Sequence, residues 1–181
     1  RVEYKRLMKK YGDEGDDVQY GYFKRRQHVQ KIILNSLYGV LGLPVFRFYD
    51  IDNAEATTVT GQELIKFTEK IANSYYNKKL GDKEDYCIYT DTDSVFYSAV
   101  PLVKKEYPNA DLSDDKFMTE KILDTAGVVQ DYINQSYNLF AKRFLNIDDH
   151  RFDIKQECIA KAAFWVTKKR YGQWIINDAG V

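Results

Sequence analysis

Three observations in the sequence predict an α+β fold, with long helices gathered around a small antiparallel sheet. Apolar residues recur at helical spacing over Tyr20–Leu41, where Phe23, Val29, Ile32, Ile33, Leu37, Tyr38 and Leu41 share the pattern. The polar cluster Thr90-Asp91-Thr92-Asp93-Ser94 lies between Tyr86–Tyr89 and Val95–Tyr97, two runs rich in β-branched and aromatic residues, which is the pattern of a β-hairpin. Two further strand-like runs, Ile154–Val166 and Tyr171–Ile176, are joined through Thr167-Lys168-Lys169-Arg170.

The elements follow in order. Arg1–Tyr11 reads as the end of a helix, and Gly12–Asp17 as a polar, glycine-punctuated connection. The short return into Tyr20–Leu41 implies an antiparallel helical pair. Pro44 stops the second helix, and Val45–Tyr49 reads as a short extended piece. Asp52 or Asn53 is the expected N-cap of a long helix reaching about Leu80, with Gly81 as its terminator. After the Tyr86–Ser98 hairpin, Pro101–Asp115 reads as loop. Ser113 or Asp114 then caps another long helix, from about Lys116 to Leu145.

At 181 residues the chain is one domain or a large piece of one. Its 44% apolar and 15% aromatic content marks it as folded rather than disordered. No apolar run reaches the length of a membrane span, and the charged N-terminus is no signal peptide. Cys87 and Cys158 lack metal-site spacing and read as reduced, intracellular thiols.

Net charge is zero, which excludes a uniformly basic nucleic-acid-binding domain. The distribution is uneven, however. Arg1–Lys31 carries nine Lys/Arg against five acids, Asp82–Asp124 eleven acids against five Lys, and Lys161–Gln173 three Lys and one Arg with no acid. A basic, then acidic, then basic order suits a site that holds metal ions and a polyanion together.

Three motifs carry chemistry. Asp91 and Asp93, at or beside a hairpin tip, can converge on a hard divalent cation such as Mg²⁺; the plain alternative is that Asp and Thr simply make the turn. On a helix, Lys31, Asn35 and Tyr38 fall at i, i+4 and i+7, a stripe able to offer a phosphate a point charge and hydrogen bonds, or to be ordinary solvated surface. Lys168-Lys169-Arg170-Tyr171, between aromatic strands, suits a nucleic-acid backbone or is only a charged turn. Strand alternation puts Lys169 and Tyr171 on one face, opposite Lys168 and Arg170.

Taken together and in this order, Lys31-x-x-x-Asn35-Ser36-x-Tyr38-Gly39, Tyr89-x-Asp91-Thr92-Asp93-Ser94 and Lys168-Lys169-Arg170-Tyr171 resemble the B-family DNA polymerases. The run Phe46–Ala54, followed by a helix carrying Gly61-Gln62, is similar to the polymerases of T4-like bacteriophages, and Arg1-x-x-x-Lys5 resembles a basic pair on the first fingers helix. Thr90 departs from the family, which most often has glycine there.

The resemblance implies fingers helices over residues 1–42 and an incomplete palm over 43–181, a palm-like antiparallel sheet flanked by long helices. It implies template-directed addition of deoxynucleotides to a primer 3′ end by two-metal nucleotidyl transfer in DNA replication. Two Mg²⁺ ions, with Mn²⁺ as a substitute, would be held by Asp93 and a supporting Asp91, with Glu157 as a further acid nearby. Arg1, Lys5, Lys31 and Asn35 would contact the incoming dNTP, Tyr38 the nascent base pair, and Lys168, Lys169, Arg170 and Tyr171 the primer–template. The expected partners are primer–template DNA, dNTP, the remainder of the polymerase or a complementary subunit, and a sliding clamp, with no membrane, in the cytoplasm of an infected bacterial host.

The family's upstream Asp-x-x-Ser-Leu-Tyr-Pro-Ser run is missing from this sequence, as are exonuclease motifs and a thumb. The chain is therefore expected to be a fragment that is inactive alone. Two other functions compete: a non-catalytic palm module of a split polymerase, and a metal-dependent glycosyltransferase with an Asp-x-Asp motif. The glycosyltransferase reading leaves Lys31–Gly39 and Lys168–Tyr171 without a role.

Overall fold

A computed structural model describes residues 1–109 and 111–178. The chain divides into two compact units, Arg1–Val59 and Thr60–Val181.

In the first unit, α1 (Val2–Asp13) packs against α2 (Asp17–Leu41), with the Phe23 ring stacked on Tyr11 at 5.5 Å. The connection is short because the Asp16 side chain accepts the Gln19 amide and opens α2 at once. Gly42 closes α2 ahead of Pro44. Val45–Tyr49 is not extended. It coils into turns, with the amides of Phe46 and Tyr49 donating to the carbonyls of Leu43 and Phe46. Local three-residue hydrogen bonds win because the segment pairs with no strand. The cap of α3 (Ile51–Leu80) is also earlier than expected. Asp50, rather than Asp52 or Asn53, accepts the Asn53 amide at 3.0 Å, and Asp52 falls in the first turn.

From Thr60 onward α3 belongs to the second unit. There it shares a core with α5 (Asp115–Phe140), built on Ala72, Tyr76, Leu102, Val129, Ile133 and Tyr137. The stretch expected to be loop contains a short helix, α4 (Val100–Glu106). Pro101 starts it, since a helix's first turn needs no proline N–H, and Leu102 and Val103 are buried beneath it. Thr68 is fully buried and donates to the Leu64 carbonyl, so its one proton is spent there. Tyr137 must then donate to Thr68 Oγ1, at 2.7 Å. Asp114 caps α5, which runs on through one π-helical turn, Ala141–Leu145, and closes at Asn146 with φ 54°. Gly81, at φ 85°, ends α3 by donating to the Asn77 carbonyl.

Instead of one sheet, the described residues form two separate antiparallel hairpins: β1 (Cys87–Asp91) with β2 (Ser94–Tyr97), and β3 (Cys158–Thr167) with β4 (Arg170–Asp178). β3 starts four residues later than the apolar pattern suggests, because Ile154 and Gln156 bond elsewhere. Asn134 of α5 takes both backbone groups of Ile154, and Gln130 accepts the Gln156 amide. The first hairpin is pinned to α3 in a similar way: Asn73 accepts the Tyr86 amide, and the Tyr97 hydroxyl donates to the Glu69 carbonyl. In the second hairpin, Phe164 lies across the backbone of Gly172, where a Cβ would meet the ring at 2.6 Å.

Phe140 is 1% exposed and touches Phe67, Phe144 and Phe152, so Phe140→Ala is expected to cost ~3–5 kcal/mol in urea unfolding. Phe144→Ala, whose ring is 62% exposed, should cost less than half as much by the same measurement.

Candidate active site at the aspartate and lysine turns

The first hairpin reverses through Thr92 and Asp93, with Asp91 paired to Ser94 on either side. Thr92 sits at φ 51°, a left-handed conformation that a β-branched residue rarely adopts. Thr90, where a glycine was expected, has no such requirement. Its φ is negative, and its hydroxyl lies 3.3 Å from Cys87 Sγ and 3.5 Å from Glu69 Oε2. The unusual backbone is two residues further on than the departure suggested.

The second hairpin reverses through Lys168 and Lys169, so these residues form a turn rather than an alternating strand. Lys169 stands at φ 64°. Lys169 and Tyr171 nonetheless reach the same side, because both meet Tyr89. The Lys169 amide donates to the Tyr89 hydroxyl at 2.9 Å, and the Tyr171 ring lies 5.4 Å from the Tyr89 ring. The two turns, about 80 residues apart in sequence, are therefore neighbours.

Side chains strengthen this contact. Lys169 Nζ donates to both oxygens of Asp91, at 3.0 and 2.8 Å, and lies 3.4 Å from Thr92 Oγ1. That hydrogen bond, with a second from Thr92, holds the Asp91 carboxyl below the usual range, and the same bond raises Lys169 above the usual amine value. Behind the turns, Tyr89 and Phe96 of the first hairpin contact Trp165 and Tyr171 of the second at centroid distances between 5.4 and 6.3 Å.

Asp93 is exposed. With Thr92 it lines a pocket of about 180 Å³ that is otherwise formed by Gly61, Leu64, Ile65, Thr68, Tyr137, Asp153 and Ile154. Asp153 is a carboxylate that sequence reasoning passed over; it stands 60 residues from Asp93, and no local pattern links the two. The role of Tyr89 was more accessible, since residues two apart on a strand share a face and Tyr89 precedes Asp91 by two.

The other expected site residues are exposed. Lys168 lies in the second turn, Arg170 directly follows it, and Glu157 lies just before β3. Among the described residues no group of three or more His, Cys, Asp or Glu could hold a metal ion. Asp93 and Asp153 both line the pocket, but Asp153 is paired with Lys155 at 3.2 Å, so Asp93 is the carboxylate there that could serve Mg²⁺, which commonly takes one or two protein carboxylates with waters and substrate phosphates.

Arg1, Lys5, Lys31, Asn35 and Tyr38 belong to the first unit. Arg1 precedes α1, Lys5 lies on it, and the other three are exposed on α2. Thr58 Oγ1 donates to the Ala54 carbonyl, so the Tyr38 hydroxyl is the donor in its 2.7 Å bond to Thr58. This bond ties α2 to the first turns of α3.

The sequence matches DNA polymerase family B over residues 1–108, more than half of its length. The chain belongs to that family. It is 32% identical over 158 residues to the DNA-directed DNA polymerase of Escherichia phage RB69 and 31% identical over 157 residues to that of Enterobacteria phage T4, in each case over 78% of this chain and 17% of the relative. A DNA polymerase of Archaeoglobus fulgidus is 30% identical over 86% of the chain. The chain thus spans about a sixth of the length of these relatives. No helix among the described residues is long and apolar enough to cross a membrane.

The aromatic contact between the two hairpins yields a quantitative expectation. A double-mutant cycle with Phe96→Leu and Trp165→Leu, read by chemical denaturation, should return a coupling of about 0.5–1.5 kcal/mol favouring the native pair. A coupling near zero would mean that the rings do not hold the turns together.

Proposed function

We propose that this chain is the fingers-base and palm segment of a replicative, template-directed DNA polymerase, which extends a primer 3′ end with deoxynucleotides. The observation that carries the reading is the juxtaposition of an acidic turn and a cationic turn, with Lys169 on Asp91 and Asp93 free to face a pocket. Catalysis of phosphoryl transfer is mostly positioning and charge stabilisation, which needs acids for metal ions beside cations for the polyanion. Family membership and the similarity to phage DNA-directed DNA polymerases support the same activity.

In this reading residues 1–42 form the base of the fingers and residues 43–181 the palm. Asp93 is the principal ligand this chain offers to Mg²⁺, with Asp91 and Glu157 as acids in support and the remaining ligands coming from the rest of the polymerase and the substrate. Bound there, the ions would lower the pKa of the primer 3′-hydroxyl and stabilise charge on the pyrophosphate leaving group. Lys31 and Asn35, with Arg1 and Lys5, bind the triphosphate of the incoming dNTP. Lys31 holds its charge near the phosphates as negative charge develops on them. Tyr38 offers a flat surface to the nascent base pair. Lys168, Lys169 and Arg170 grip the primer–template backbone with Tyr171 alongside, so sequence choice is left to base pairing. A sliding clamp and the cytoplasm of an infected bacterium complete the proposed setting.

In the full-length polymerase, Asp93→Ala is expected to abolish incorporation while primer–template binding persists. Near-normal turnover in that variant would refute the site. Lys31→Ala should raise the KM for dNTP by roughly 10- to 100-fold, the loss of one charge-assisted phosphate contact, with little change in DNA affinity. The 181-residue chain alone should show no incorporation in a primer-extension assay.

A further inference from the structure

The two aspartates of the acidic turn have different surroundings. Asp93 sits in the turn itself and opens onto the pocket. Asp91 ends β1, its side chain is only 14% exposed, and both of its oxygens are taken by one ammonium group. The Thr92 hydroxyl also donates to Asp91 Oδ1, and the Ser94 hydroxyl donates to the Asp91 carbonyl. A carboxylate engaged in this way has little left for a divalent cation, because a second cation in contact with it would face the ammonium's repulsion.

The partner is equally constrained. Lys169 is held by its backbone amide on Tyr89, by its ammonium on Asp91, and at a positive φ that a lysine does not adopt without support. Thr92 carries the matching strain on the opposite turn, 3.4 Å from the same ammonium. Two strained turns that meet at one ion pair form a fixed mount, whereas a free lysine side chain would sample many rotamers.

From this geometry we infer that Asp91 is a positioning residue for Lys169 and not a metal ligand. It holds the lysine turn in the form that receives primer–template, and it leaves metal binding to Asp93. The inference rests on the polymerase reading above and departs from it in the role of Asp91.

The test uses the full-length polymerase carrying Asp91→Asn, Asp91→Glu, Lys169→Met and the Asp91→Asn/Lys169→Met pair. Primer–template affinity is read by anisotropy without divalent ions, and Mn²⁺ affinity by electron paramagnetic resonance. Asp91→Asn and Lys169→Met are each expected to weaken primer–template binding by about tenfold, the worth of one charge-assisted hydrogen bond, and the pair by no more than either alone. Asp91→Glu should restore most of that loss. Mn²⁺ affinity should stay within roughly twofold of the parent while DNA affinity falls, a split that general unfolding would not produce.

Three results would overturn the inference: a tenfold loss of Mn²⁺ affinity in Asp91→Asn with DNA affinity intact, additive losses in the pair, or tighter DNA binding in Asp91→Asn from the removed negative charge alone. A parent polymerase that neither binds nor extends primer–template would defeat the functional reading itself. Additive variants of an active parent would defeat only the pairing.

Discussion

The cluster of Tyr89, Phe96, Trp165 and Tyr171 is the contact on which the site depends. An isolated two-stranded hairpin is marginal in water, and this chain has two of them without a shared ladder of backbone hydrogen bonds. What makes them one structure is side-chain packing across four rings, with the Tyr89 hydroxyl accepting the Lys169 amide at the edge. Aromatic packing tolerates small shifts in ring angle, while the hydrogen bond fixes register at one point. Because apolar area and one directed bond share the task, the acidic and basic turns can each keep a strained residue without flying apart.

Beneath them, α3 and α5 supply the rigidity. The helices present Asn73, Glu69, Asn134 and Gln130 to the segments that lead into the strands, and these side chains and carbonyls replace strand partners that the backbone would otherwise lack. Polar residues on the inner faces of long helices therefore decide where each hairpin begins. They also explain why the pocket beside Asp93 is half helix: Gly61, Leu64, Ile65 and Thr68 come from α3 and Tyr137 from α5.

Much of this was legible in the sequence, and what was missed has physical causes. Helical periodicity located α2, while cap and stop residues located α3 and α5, with Gly81 a real terminus and Asp114 a real cap, because these signals are local. Pro101 was read as a loop former although proline suits a first helical turn, and only the buried Leu102 and Val103 show which role it took. Val45–Tyr49 has strand-like composition, yet a strand exists only where another pairs with it. The same limit hid the split into two sheets. For the site, the aspartate and lysine motifs stood out individually. Their pairing through Lys169 and Asp91, and the presence of Asp153 beside Asp93, depend on contacts 60 or more residues apart that no window can display.

The stacking of Phe164 on Gly172 has an evolutionary consequence. A ring and a side chain cannot occupy that space together, so position 172 cannot gain a side chain while Phe164 remains. Divergent versions of this ribbon would have to shrink 164 before enlarging 172. The neighbouring Val166, 69% exposed, carries no such linkage, whereas Trp174 is tied to Lys161, whose ammonium lies 5.6 Å from the ring centre.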